Sequence, residues 1–203
     1  MNLNRLKVRQ VIAGVDWGYT NPGVIDCFAV DGDLRMVQLR EHYHTRKTID
    51  WWIERAKAAV RDLGVDVFVC DPSEPGFIQQ FVDAGLTAIK GRNDILPGIS
   101  AVAARLKPDG VGRKRLLMYR DALQERDEDL VERGLPASTV DEFTSYVWPK
   151  GVSGTVQKDK PVDEHNHGLD ALRYACMYLD IDTDAGNFDD LDAYYQRTLG
   201  RGR

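Results

Sequence analysis

The sequence predicts an α/β domain whose central sheet mixes antiparallel and parallel strands. Two observations lead there. Between residues 11 and 43, three apolar runs follow one another with connections too short for anything but a meander. Between residues 65 and 106, apolar runs alternate with segments of helical periodicity, the pattern of parallel strands joined by right-handed crossovers.

The elements follow in order. Residues 11–17 form an apolar run that takes in Asp16 and stops at Gly18, and read as a buried strand. Tyr19-Thr20-Asn21-Pro22-Gly23 is a turn, residues 24–30 a second strand, and Asp31-Gly32-Asp33 a hairpin turn into a third strand over 34–43. Thr48 is placed to cap a helix in which Ile49, Trp52, Ile53, Ala56, Ala59, Val60 and Leu63 recur at helical spacing, with Gly64 to end it. Residues 65–70 read as a strand ending in Asp71-Pro72, 75–84 as a helix, 86–89 as a strand and 98–106 as a helix. A short strand is expected over 116–119 and a solvated helix over the charged stretch 121–133. Residues 145–148 and 155–158 flank a Gly-rich tip and suggest a β-hairpin near 145–160. A helix over 166–179 would bury Leu169, Leu172, Ala175, Cys176 and Leu179 on one face. The expected organisation is one domain over 1–180 and an acidic, flexible tail over 181–203.

Composition sets few exclusions. With 203 residues, 43% hydrophobic and 29% charged, the chain suits one sizeable soluble domain. No apolar run approaches the roughly 18 residues of a membrane span, and the N-terminus lacks the apolar core of a secretory signal. Cys27, Cys70 and Cys176 are odd in number, widely spaced and each set in an apolar run, so they read as reduced core residues in a cytoplasmic setting. The net charge is −5, but Asp180, Asp182, Asp184, Asp189, Asp190 and Asp192 concentrate acid from residue 180 to the end. Basic residues cluster at 90–92, 105–107, 113–115 and 150–160, so a local nucleic-acid surface is compatible with the overall charge.

Three acids are badly placed for a bland role. Asp16 ends the run Gly14-Val15-Asp16-Trp17-Gly18, and Asp71 ends Val67-Phe68-Val69-Cys70-Asp71. Asp170 sits in a helix three residues after His167, on the same helix face. Carboxylates at strand ends face the crevice where α/β ligand sites form. Three of them converging there would repel one another unless a divalent cation neutralised them, and hard oxygen ligands suit Mg²⁺ or Mn²⁺. An Asp at a strand end also serves as a turn former or helix cap, and a lone helical Asp as a solvated residue. The weight lies in the combination. His167 has the chemistry to orient or deprotonate a water or to touch a metal, or it makes a local hydrogen bond at the helix start. Asp163 and Glu164 are either outer acids of the site or acids favoured ahead of a helix N-terminus.

Gly14-x-Asp16-x-Gly18-x-x-x-Pro22-Gly23, then Asp71 after an apolar strand, then Asn166-His167-Gly168-Leu169-Asp170-Ala171-Leu172-Arg173-Tyr174 together resemble the nuclease domain of phage terminase large subunits, over residues 8–180. Gly98-Ile99-Ser100 at a helix start and Tyr146-x-Trp148 entering the hairpin fit as well. The closing motif is the specific part; the opening one is shared by many RNase H-like proteins. The resemblance implies an RNase H-like fold with a mixed sheet of five strands or slightly more. It implies that Asp16, Asp71 and Asp170 hold two divalent cations, Mg²⁺ or Mn²⁺, for hydrolysis of phosphodiester bonds in double-stranded DNA, with Asp16 bridging both. Some relatives carry Glu where this chain has Asp71, a shorter reach, and Glu74 stands near enough in sequence to assist.

The resemblance further implies an ATPase domain, a portal protein and a small terminase subunit as partners, in the host cell cytoplasm and transiently at the procapsid portal. No Gly-x-x-x-x-Gly-Lys-Ser/Thr loop occurs in this chain, and Gly110-Val111-Gly112-Arg113-Lys114 does not match one, so no ATPase domain is expected in it. No segment resembles a base-reading helix or zinc finger, so DNA binding is expected to rest on phosphate contacts from Lys90, Arg92, Arg105, Lys107, Lys150 and Lys158. A mobile hairpin over 149–160 is expected to gate the metals. The competing readings are another RNase H-like nuclease, such as a junction resolvase or transposase core, and a non-catalytic DNA-binding or motor-docking module of the same fold. A sugar-kinase-like or actin-like nucleotide-binding fold also opens Gly-x-Asp-x-Gly, but it needs two such halves and a longer chain.

Overall fold

In the computed structural model, which describes residues 7–147 and 164–184 (the last four by backbone alone), the three opening apolar runs are β1 (Val8–Asp16), β2 (Gly23–Asp31) and β3 (Met36–His44). They pair antiparallel, with Asp16 opposite Val24 and Gly23 opposite His44. Helix α1 (Ile49–Leu63) then crosses to β4 (Val67–Cys70), and α2 (Pro75–Asp83) to β5 (Ala88–Lys90). Both crossovers give parallel pairs, β1 with β4 and β4 with β5. Helix α3 (Ile95–Leu106) leads to the short β6 (Leu116–Leu117), which pairs parallel with β3. The result is a mixed six-stranded sheet in the order β5-β4-β1-β2-β3-β6. Two short helices follow, α4 (Glu128–Glu132) and α5 (Thr139–Glu142), and then α6 (His167–Asp184).

Side-chain alternation along β1 divides the core between the two sheet faces. Val11, Ala13 and Val15 pack with Trp52, Ala56 and Ala59 of α1 and with Ile78 and Phe81 of α2. Ile12 packs on the other face with Ala101 and Val102 of α3 and with Leu172, Ala175, Cys176 and Leu179 of α6. Asp16 shares the parity of Ile12 and Gly14, and so belongs to the α6 face.

Several elements differ from expectation. The segment 121–133 holds helix only at Glu128–Glu132, where Asp127 caps the start by accepting from the Asp129 and Leu130 N–H groups and Gly134 takes a left-handed φ of 66°. α3 begins at Ile95, earlier than expected, because Pro97 is tolerated in a first helical turn. α5 was not anticipated. α6 continues to Asp184 and so takes in the first four residues of the expected tail. It is also buried nearly all round between residues 168 and 179, not on one stripe, because the sheet, α3 and α5 enclose it. Residues 145–147 are turn and coil, so the expected strand does not form there; the rest of the hairpin, with Lys150 and Lys158, lies outside the described residues. Cys27, Cys70 and Cys176 are buried and unpaired. Among the described residues no helix is long and apolar enough to cross a membrane.

Candidate active site

Strand pairing sets two of the acids abreast. Asp16 is the last residue of β1, and Asp71 follows β4 directly, its N–H donating to Val15 O at 2.8 Å. Neighbouring strands lie about 4.8 Å apart, so these two backbones run side by side at that spacing. Asp170 arrives on the first turn of α6. Gly14 makes that approach possible: a Cβ there would lie 1.9 Å from Ala171 O, so any other residue would push α6 off β1. Of the side chains predicted from sequence, His167 thus reaches Asp16 directly, and Asp71 and Asp170 lie near enough for their charges to act on it.

The electrostatics reflect their mutual influence. Asp16 is only 7% exposed. Burial pushes its carboxyl up to about 7, against the opposing pull of His167, and Asp170 and Asp71 raise it further by like-charge repulsion. His167 Nδ1 stands 3.0 Å from Asp16 Oδ2. Burial alone would lower the imidazole, but the Asp16 hydrogen bond and the surrounding carboxylates of Asp16, Glu142 and Asp170 outweigh it and raise it. Asp71 is more open; its two oxygens accept from Ser73 N–H at 3.0 Å and from the Ser73 hydroxyl. Asp170 pairs with Arg173, whose Nη2 lies 3.0 Å from Oδ1, and receives Asn166 Nδ2 at 3.4 Å on Oδ2.

Sequence reasoning quoted Asn166, Arg173 and Tyr174 in the closing motif but gave them no role in holding Asp170, and it missed Asn93. Arg173 also donates to Asn93 Oδ1 at 3.1 Å and lies over the Tyr174 ring at 4.8 Å, and Tyr174 Oη donates to the same Asn93 oxygen at 3.4 Å. The Asp-x-x-Arg spacing on one helix face was the available signal. Gly98 leaves room for this arginine: a Cβ there would sit 2.2 Å from Arg173 Cγ and Cδ. Glu142 was missed as well.

Among the described residues no three His, Cys, Asp or Glu side chains are placed to enclose a metal ion. Each carboxylate is instead turned to a local partner: Asp16 to His167, Asp71 to Ser73 and Asp170 to Arg173. The chemistry of the donor set still fits a hard divalent cation, since three carboxylates share the crevice and the most buried of them is held uncomfortably as an anion. Glu74 is exposed at the start of α2 and makes no side-chain cap bond.

The expected DNA-facing cations separate into groups. Lys90 ends β5 at the same end of the sheet as Asp71, and Arg92 lies two residues on, exposed and paired with Asp94 at 3.4 Å. Arg105 does not face DNA. It is 1% exposed and forms a bidentate pair with Asp180, at 2.6 and 3.1 Å, because its position on α3 points into the α6 interface. Lys107 is exposed, but it sits where α3 ends and Arg115 N–H meets Arg105 O, beside the start of β3 and so at the opposite end of the sheet from Asp16. The Gly110–Lys114 run forms an exposed turn in which Asp109 Oδ1 accepts from the Val111 and Arg113 N–H groups.

No protein-family model matches the chain, and no curated protein does. Solved structures do. The large terminase of a thermophilic bacteriophage, in one of its crystal forms, aligns at 25% identity over 83% of this chain and 39% of its own, with a TM-score of 0.64. The nuclease domain of the bacteriophage SPP1 large terminase, solved with bound Mn, aligns at 16% identity over 83% of this chain and 86% of its own, with a TM-score of 0.56. The P22 large terminase nuclease domain aligns at 18% identity over 83% and 80%, with a TM-score of 0.54. The chain thus spans well under half of the thermophilic phage's large terminase and most of each separate nuclease domain. Its mixed sheet and flanking helices are those of the RNase H-like fold, and the chain has the fold of phage large-terminase nuclease domains.

Proposed function

We propose that the chain is a metal-dependent endonuclease that cuts double-stranded concatemeric viral DNA during genome packaging. The observation that carries this reading is the convergence of Asp16, Asp71 and Asp170 from two adjacent parallel strand ends and the first turn of a buried helix. These three residues would hold two divalent cations, Mg²⁺ or Mn²⁺. Such a pair, when bound, supplies an activated hydroxide at neutral pH and charge neutralisation at the scissile phosphate.

The chain's own residues have separate tasks. His167 keeps one Asp16 oxygen in place, and the neighbouring carboxylates of Asp16, Glu142 and Asp170 favour its protonated form. Arg173 and Asn166 fix the Asp170 carboxylate. Lys90 and Arg92 contact backbone phosphates beside Asp71, which gives affinity without sequence preference. The chain's partners are double-stranded DNA and, in a full-length protein, an ATPase domain, a portal protein and a small terminase subunit. Its setting is the host cytoplasm and, transiently, the procapsid portal.

The test is nicking of supercoiled plasmid. The wild type should nick in Mg²⁺ or Mn²⁺ and stop when the metal is chelated, and a folded Asp16→Ala protein should not nick. Asp16→Ala nicking at the wild-type rate would contradict the assignment.

A further inference from the structure

The first turn of α6 carries His167 and Asp170, and its free backbone N–H groups need acceptors. Asn166, just before the helix, takes the Asp170 N–H on its carbonyl oxygen at 2.7 Å and gives its side-chain amide to Asp170 Oδ2. The acceptor for Gly168 and Leu169 comes from far off in the chain. Gly168 N–H donates to Glu142 Oε1 at 3.1 Å, and Leu169 N–H to Glu142 Oε2 at 2.8 Å. Glu142 is fully buried and is itself fixed by Tyr43 of β3, whose hydroxyl donates to Oε1 at 2.7 Å.

A second set of contacts locks the same joint. Thr139, one helical turn before Glu142, gives both its N–H and its hydroxyl to Glu41 Oε1, at 2.6 and 2.7 Å. The Gly168 Cα packs directly against it, so that an added Cβ would lie 2.1 Å from Thr139 Oγ1. The order of support is thus sheet, then α5, then the α6 N-terminus, then the two side chains beside Asp16. A residue that only filled this space would not need charge, because burying a carboxylate is costly. Two oxygens aimed at two consecutive N–H groups at a helix start do need it.

We propose that Glu142 is a positioning residue for DNA cleavage, its carboxylate anchoring the first turn of α6 so that His167 and Asp170 stand correctly against Asp16. This rests on the nuclease reading above. Glu142→Gln is the informative variant. The amide keeps the shape but has one acceptor oxygen, so one of the two N–H groups faces an NH₂ group. Tyr43→Phe removes a single donor to Glu142 and leaves the carboxylate.

The experiment compares wild type, Glu142→Gln, Tyr43→Phe and Asp16→Asn at about pH 8. It measures the cleavage kcat, the DNA Kd and the hydrogen-exchange protection of the Gly168 and Leu169 amides. Glu142→Gln should stay folded and bind DNA with unchanged Kd, lose protection at those two amides, and lose kcat by roughly 10- to 100-fold, the scale of a misplaced reacting group. Tyr43→Phe should shift the same readings by less. A folded Glu142→Gln protein with wild-type kcat overturns the proposal, whether or not its amides stay protected. If Glu142→Gln fails to fold, Tyr43→Phe decides on the same readings. Cleavage by wild type and none by Asp16→Asn keeps the nuclease reading apart from the fate of Glu142. A wild type that never cleaves removes both, and the exchange data then report on the helix anchor alone.

Discussion

Asp16 and Glu142 are two buried carboxylates on the same side of the sheet, and both are pushed up to about 7, chiefly by burial. Their surroundings differ. Glu142 receives three donors, from Tyr43, Gly168 and Leu169, and closes a joint between elements. Asp16 meets one side-chain donor among the described residues, His167, and feels two like charges, Asp71 and Asp170. Burial alone therefore does not mark a functional acid. An acid that is buried, short of donors and crowded by its own kind is one that a cation would relieve, whereas an acid that is buried and satisfied holds a structure in place.

The largest effect that would break this contrast is on stability without metal. A carboxyl whose folded-state pKa lies above its unfolded value adds stability that is fully present below the unfolded value. That stability is lost as pH rises through the folded one. For Asp16 the loss runs between its ordinary 3.8 and about 7. Neutral Asp16→Asn escapes it, so metal-free Asp16→Asn should be more stable than wild type at about pH 8, by up to roughly 4 kcal/mol. The advantage should shrink steadily as pH is lowered toward about 4. Paired urea titrations across that range measure it, and an advantage that does not change with pH would mean that Asp16 is not held as an unrelieved anion.

Packing gives the next effect. Gly14→Ala sets a methyl against the Ala171 carbonyl, so it should cost roughly 1–3 kcal/mol in the same titration and cut cleavage by moving Asp170 away from Asp16. Gly98→Ala meets first the side chains of Arg173 and Met177, not backbone, and should cost less stability, while still disturbing Asp170 through its arginine. Equal and negligible costs at both glycines would remove the claim that close approach builds the crevice. Millimolar Mn²⁺ should raise the wild-type melting temperature by several degrees through binding to the folded state, and markedly less in Asp16→Asn. Equal shifts would place the cation elsewhere. The smallest effect concerns DNA: Lys90→Ala and Arg92→Ala should each lower the salt slope of binding by about 1, and Lys107→Ala should leave it unchanged.

Much of this molecule was legible in its sequence, for identifiable reasons. β1 to β5 and the helices between them follow from apolar periodicity and from local signals such as Gly64, whose φ of 70° ends α1 as expected. Asp16, Asp71 and Asp170 stood out because each interrupts or ends an apolar element. What was not legible depended on distant partners. Arg105 reads as part of a basic cluster, yet its partner Asp180 lies 75 residues away. Glu142 sits in a four-residue helix too short to show a period, and its partner Tyr43 is 99 residues away. The charged run 121–133 looked helical by composition, but Asp127 turned its carboxylate to Thr45 of the β3–α1 turn as well as to the short α4.

The central claim is that the crevice formed by Asp16, Asp71 and Asp170 is a cation site, and anomalous diffraction from a crystal soaked in Mn²⁺ tests it most directly. The account predicts anomalous peaks within roughly 2.0–2.3 Å of an Asp16 carboxylate oxygen, with Asp71 and Asp170 turned from Ser73 and Arg173 toward them. Peaks found only among the aspartates beyond Asp180, with the three crevice carboxylates still on their local partners, would contradict it.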